Sequence, residues 1–199
     1  MNPLDTIRRF ITISPEIELE LRDMMREHEY KRGDIIRGAV NLSTYAFYII
    51  AGSARLFYTI GGREHTFSFS FTNEFIMLSR FLILSHPDTV AIQFLEPTKV
   101  LFIPHLKMKD LIKDTGIQPD EAAILFITTA MSQHVLALEE RLDALQTMSA
   151  EERYRWALKR YPRITECATL TQIASFLGVT KETLYRIKSG KYNNQTSNS

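Results

Sequence analysis

Cysteine and tryptophan occur once each in the 199 residues, and the single thiol is Cys167. One cysteine cannot close an internal disulfide. Alone it supplies neither the four thiolates of an iron–sulfur cluster nor the ligand set of a structural zinc site. No apolar run approaches the roughly 20 residues that a membrane-spanning helix needs, so no membrane partner is expected. The sequence also lacks a His-x-His pair beside a glutamate, a Gly-rich phosphate loop, a zincin motif and a nucleophile elbow. Its five histidines, His28, His65, His86, His105 and His134, are scattered and read as surface or packing residues. These absences argue against an enzyme, and no cofactor or metal is expected. The opening Met1-Asn2-Pro3-Leu4-Asp5 has no basic-then-apolar layout, which makes the cytoplasm the expected compartment.

Net charge is nearly absent too, at +1, but its distribution is uneven. Residues 151–199 hold nine basic and four acidic side chains, and residues 1–150 hold fifteen and nineteen. A basic C-terminal end is the kind of electrostatic footprint that a polyanionic partner requires. The hydrophobic fraction of 45% and charged fraction of 24% are ordinary for a globular chain, so global disorder is excluded.

After a helix-like lead from Pro15 to His28, residues 30–104 read as short strands. Tyr45–Ile50, Ala54–Ile60, Thr66–Phe71, Val90–Leu95 and Lys99–Ile103 are rich in aromatic and β-branched residues. Phe67, Phe69 and Phe71 alternate with polar neighbours, the period of a strand with two unlike faces. Gly33-Asp34, Gly52 and Gly61-Gly62 punctuate the series as turns. The pattern predicts a small antiparallel sandwich or jelly roll.

The period then changes. From Pro119 to Met148 there is neither glycine nor another proline, and Ile124, Ile127, Met131, Val135, Leu138, Leu142 and Leu145 recur at spacings of three and four. They form one apolar seam along a long helix. Such a seam must be covered, either by the chain's own domain or by a second copy. The helix length and its polar opposite face favour a homodimer, with Glu139, Glu140, Arg141 and Asp143 off the seam as solvated charges.

A short helix from Glu151 to Tyr161 is stopped by Pro162, and two more follow. Thr169 and Gln172 have the spacing of a capping box, with Ile173, Ala174 and Leu177 facing inward. Gly178 ends that helix and Thr180 caps the next, whose Leu184 and Ile187, with Val179, are set to pack against the first. Lys181, Glu182, Tyr185 and Arg186 then point outward. Arg186 can donate twice to a guanine edge, Glu182 can accept from cytosine, and Lys181 and Lys188 can neutralise phosphates. The pattern is that of a helix-turn-helix for double-stranded DNA, with Thr169 and Thr180 at its edges. The chain closes in the polar Asn193–Ser199.

With these residues in view, the chain resembles the cyclic-AMP receptor protein family of Crp/Fnr type over nearly its whole length. The resemblance rests on Lys31-Arg-Gly-Asp, Tyr48-Ile-Ile-Ala-Gly-Ser, Glu74-Phe-Ile, Phe94-Leu-Glu-Pro-Thr-Lys-Val and, most strongly, Gly178-Val-Thr-Lys-Glu-Thr-Leu-Tyr-Arg-Ile. It implies an α+β chain in three parts. They are a cyclic-nucleotide-binding-like β-roll (a double-stranded β-helix or jelly roll) over residues 1–117, a dimerisation helix over 118–148, and a DNA-binding domain over 149–199. The function implied is transcription regulation, with RNA polymerase as a further partner. Cyclic-nucleotide-binding members use a glutamate for the ribose and, ten residues later, an Arg-Ser or Arg-Thr pair for the cyclic phosphate. Ungapped alignment from Glu74 places Leu78 at the glutamate and Asp88-Thr89 at the pair. The pocket is therefore degenerate, and cyclic AMP is not expected to bind in the usual way. The effector is then another small molecule, or the pocket is a filled core, which packing favours. Ser189-Gly190-Lys191 leads directly into the polar tail, so no β-hairpin wing is expected. The alternative is a ligand-sensing or scaffold protein that keeps this fold without binding DNA.

Overall fold

The computed structural model describes residues 3–8, 14–37, 45–76, 90–104 and 121–192. Helices α1 (Pro3–Arg8) and α2 (Pro15–Met24) precede eight strands among the described residues. These are β1 (Arg26–Tyr30), β2 (Ile35–Arg37), β3 (Tyr45–Ala51), β4 (Ser53–Ile60), β5 (Arg63–Phe71), β6 (Phe75–Ile76), β7 (Val90–Phe94) and β8 (Thr98–Pro104). The lead helix is shorter than its composition predicts. Arg26–Tyr30 instead pairs antiparallel with β8, from Arg26 opposite Phe102 to Tyr30 opposite Thr98. Tertiary pairing overrides the local preference there, and the Tyr30 ring stacks on Phe94 at 4.0 Å.

The strands form two antiparallel four-stranded sheets, in the orders β1-β8-β3-β6 and β2-β7-β4-β5. The five segments read as strands from composition are β3, β4, β5, β7 and β8. The additional strands β2 and β6, of three and two residues, are too short to give a period. Phe47, Ile49, Leu56, Ile92, Phe94 and Val100, each at most 2% exposed, fill the space between the sheets. At Gly52, φ is +106° and an added Cβ would lie 2.5 Å from the Thr98 hydroxyl oxygen, so only glycine lets β3 turn into β4 at that approach. Arg55 is buried but fully paired: its guanidinium donates to Gln93 (2.7 Å), Thr66 (3.0 Å) and Glu64 and lies over the Phe57 ring. A buried cation is tolerable only with such a set of partners.

Helix α3 (Glu121–Thr147) follows, its 27 residues free of glycine and proline. Thr129, Ala130 and Ala144 are buried on one side of it, and α1 and α2 lie against it. Four short helices complete the described chain: α4 (Ala150–Arg160), α5 (Ile164–Cys167), α6 (Leu170–Leu177) and α7 (Lys181–Lys188). Ser149 and Glu152 form a capping box at the start of α4. The single turn α5, stopped within four residues, has no sequence period and goes unpredicted.

These helices share a second core with the roll. Phe69 of β5 and Leu95 join Ala157, Tyr161, Ile173, Phe176 and Leu184 in one cluster. The alternation of β5 thus has a meaning the sequence does not convey, because the polar residues between its phenylalanines are not solvated. Ser68 and Ser70 are as buried as Phe69, on the opposite face of the strand.

Candidate nucleic-acid interface

The segment from Thr169 to Lys188 is a helix, a tight turn and a second helix, each end locally satisfied. The Thr169 hydroxyl accepts from the Gln172 amide at 3.3 Å and the Gln172 side chain accepts from the Thr169 amide at 2.8 Å, closing the expected box. At the other end of α6, Gly178 takes φ +66° and ψ +36°. Its N–H donates to the Ser175 carbonyl and that of Val179 to the Ala174 carbonyl, the bond pair of a Schellman motif. Thr180 starts α7 by accepting from the Thr183 amide at 3.1 Å. The side chains of Thr169 and Thr180 are therefore engaged in capping. Leu184 is fully buried against α6, and Ala174, 2% exposed, allows the close crossing. Val179 packs on the same core, whereas Ile187 stands outside it and lines a groove beside Tyr154 and Leu158 of α4.

The opposite face of α7 is open. Lys181, Glu182, Tyr185, Arg186 and Lys188 are all exposed, Tyr185 to 64%. Among the described residues, Lys181, Arg186, Lys188 and Lys191 take part in no salt bridge, although Arg8, Arg55, Arg155, Arg160 and Arg163 all do. The cations on this face are held up by a rigid helix pair and are not internally neutralised, so their charge is available to an anionic partner.

What aims this face is a set of contacts that the sequence reading missed. Arg141 of α3 was expected in solvent. Instead it is half-buried, donates through Nε to the Phe176 carbonyl at 3.0 Å, and lies over the Phe176 ring at 5.1 Å. Burial pulls its guanidinium below the ordinary value, and the carbonyl dipole at the end of α6 is the compensating partner. Arg153 of α4 donates to the Leu177 carbonyl at 2.7 Å. Glu140, also expected in solvent, accepts from Arg160 Nε at 2.9 Å, and Arg160 Nη1 bonds Glu74 at the same distance. Further ties run from Arg163 to Glu96, from Gln172 to Gln93, and from the Thr66 amide to the Ser175 hydroxyl. The partners lie 20 to 109 residues apart in sequence, which is why no local pattern announces them.

Along α3 the predicted seam divides. Val135 and Leu142 are exposed to 47% and 53%, while Met131, Leu138 and Leu145 are partly covered. Leu145 faces the helical turn, its Cδ2 only 3.1 Å from where a Cβ on residue 178 would stand. Ile124 and Ile127 lie on the same helix. Leu136, off the predicted seam, is 55% exposed. Of the other candidates, Leu78, Asp88 and Thr89 lie outside the described residues, as do His86 and His105. His28 packs edge-on to Tyr30 and His65 stacks on Tyr58. Among the described residues no three His, Cys, Asp or Glu side chains come together as a metal site, and no helix is long and apolar enough to cross a membrane.

No curated protein matches the sequence significantly. Solved structures do resemble it. The c-di-GMP responsive global regulator CLP of Xanthomonas campestris shares 16% identity, with 89% of this chain and 91% of that one covered and a TM-score of 0.64. FixK2 from Bradyrhizobium japonicum shares 19%, with 83% of each chain covered and a TM-score of 0.60. The catabolite activator protein of Thermus thermophilus shares 19%, with 95% of this chain and 86% of that one covered and a TM-score of 0.51. At these identities what is shared is the fold. Residues 27–115, the β-rich part, match the family model of the cyclic nucleotide-binding domain.

Proposed function

We propose that the chain is a sequence-specific, DNA-binding transcription regulator of the Crp/Fnr type, working as a homodimer and not controlled by cyclic AMP. The observation that carries this reading is the open, cationic face of α7. Read as the recognition helix of a helix-turn-helix, it sets Arg186 and Glu182 toward base edges and Lys181, Lys188 and Lys191 toward phosphates. Tyr185 adds a flat contact surface at the same face.

The homodimer follows from α3, whose exposed Val135 and Leu142 lie on the heptad-like seam. A second copy of the same helix covers them and sets two reading helices at a fixed separation. Independence from cyclic AMP is supported by the sequence positions of Leu78, Asp88 and Thr89. An aspartate where a phosphate-binding arginine is needed repels the ligand's charge.

The test is a pair of substitutions read by fluorescence anisotropy on a selected duplex. Arg186→Ala should weaken specific binding by about 1–3 kcal/mol and relax one base position. Lys188→Ala should weaken all duplexes alike and lower the salt slope by about 1. Equal, sequence-independent effects from both would contradict a reading role for Arg186.

A further inference from the structure

The last four carbonyls of an α-helix have no intrahelical partner. In α6 the bonds of the Schellman turn take two of them, Ala174 and Ser175. The other two, Phe176 and Leu177, are met from outside the helix pair. Arg141 Nε of α3 donates to the Phe176 carbonyl at 3.0 Å, and Arg153 Nη1 of α4 donates to the Leu177 carbonyl at 2.7 Å. Two different helices thus hold successive carbonyls, immediately before Gly178 turns the chain toward α7.

Capping alone does not account for this arrangement. Neither guanidinium has a carboxylate partner among the described residues, and Arg153 Nε is buried with no hydrogen-bond partner. An unpartnered buried donor is costly, and the two cations repel each other while sharing roughly half an elementary charge at one helix end. What the pair supplies is direction. A guanidinium is planar and bonds along fixed N–H axes, so one bond fixes the end of α6 in position and the second fixes its rotation. Arg141 also lies over the Phe176 ring at 5.1 Å. Only Gly178, Val179 and Thr180 separate α6 from α7, and the buried Leu184 locks the two together. Helix α7 therefore inherits the orientation of α6.

On α3 this clamp lies beside the exposed apolar strip. Arg141 directly precedes Leu142, which is 53% exposed, and Leu145, one turn further on, faces Gly178. A single turn of α3 presents an apolar side chain outward and grips the α6–α7 turn inward.

We propose that Arg141 and Arg153 are positioning residues that set the separation and rotation of the two α7 helices in the homodimer, and with them the half-site spacing the protein accepts. The inference rests on the DNA-binding and homodimer readings above. Both arginines act through the α6–α7 turn and not on a base or phosphate. One base pair more or less between half-sites shifts each by about 3.4 Å along the duplex and rotates it by roughly a tenth of a turn. A clamped turn does not follow that displacement, and a released one does.

The experiment is fluorescence anisotropy on the full chain with three kinds of duplex: the selected two-fold site, the same site with its centre one or two base pairs shorter or longer, and a lone half-site. The wild-type protein should lose affinity by about tenfold for a change of one base pair. Arg141→Met and Arg153→Met, which keep the apolar stem and remove the donor, should each hold affinity to within about threefold across the series. Their preferred bases inside a half-site and their salt slope should stay those of the wild type. Ile92→Val in the roll core is the control, because it lowers stability without touching the turn and should keep the sharp spacing preference. Two substitutions in separate helices keep the test decisive if one of them does not fold. A spacing preference that both variants retain, or a loss spread evenly over all duplexes, would overturn the positioning role and leave the DNA-binding reading standing. A wild-type protein that binds no duplex, or a lone half-site as tightly as the pair, would contradict the proposed function and this inference with it.

Discussion

Gly178 shows how much one residue can determine. Its positive φ closes α6, and its lack of a side chain lets the turn sit against Leu145 of α3. Gly178→Ala should cost about 1–2 kcal/mol from the left-handed backbone alone, more if Leu145 cannot yield, and should lower the urea midpoint without changing the m-value. His134 offers a pH-dependent test. Burial holds its imidazole below the ordinary value, so above the unfolded pKa, near 6.5, both states are neutral and the stability is fully present. As pH falls through that range the unfolded chain takes up a proton that the folded one resists, and stability declines. Urea titrations from pH 7.5 to 5 should show a decline that is shallower in His134→Gln. An identical decline in both would remove His134 as its source. At this scale the caps and the turn glycine were legible, because Thr169, Gly178 and Thr180 act on backbone within four residues of themselves. Arg141 and Glu140 were not, since a charge between two apolar seam positions looks the same whether it meets water or the end of a distant helix.

Among the elements, β5 and α3 are the two with a role on each face. β5 gives Phe69 to the helical core and Ser68 and Ser70 to a cavity, and its alternating letters reveal the two faces but not what covers them. α3 gives Thr129, Ala130 and Ala144 to the chain's own domain and leaves Val135 and Leu142 outside. The buried small residues show packing on the chain's own domain, and the exposed seam residues are the strip that the proposed second copy would cover. If the exposed strip is the dimer seam, Val135→Asp with Leu142→Asp should convert a dimer into a monomer in sedimentation equilibrium. The far-ultraviolet helix signal should stay within about a tenth of wild type, because neither side chain is in a core. A double variant still dimeric at micromolar concentration would place the interface elsewhere. The short β2, β6 and α5 escaped prediction for a common reason: two to four residues cannot show a period, and their existence is decided by the strand or helix they meet.

In the whole molecule, the longer strands, the long helix and the helix-turn-helix-like end were each readable from period and turn chemistry, since each is defined by residues close together in sequence, whereas the sheets join strands as far apart as β1 and β8. Their mutual arrangement was not. It depends on pairs such as Thr66 with Ser175 and Arg160 with Glu74, separated by 109 and 86 residues, and on a core that draws Phe69 and Leu95 out of the roll. The consequence is a helix pair whose base is clamped to the sheet and to the long helix while its cationic face stays free. The proposal is that two such pairs, joined through α3, recognise a symmetric duplex. Selection from a random duplex library, at about 50 mM salt where phosphate contacts are strong, tests it most directly. The account predicts enrichment of a two-fold-related sequence with half-sites about one helical turn apart, lost in Arg186→Ala. A wild-type chain that enriches no sequence and retards no duplex under those conditions would contradict it.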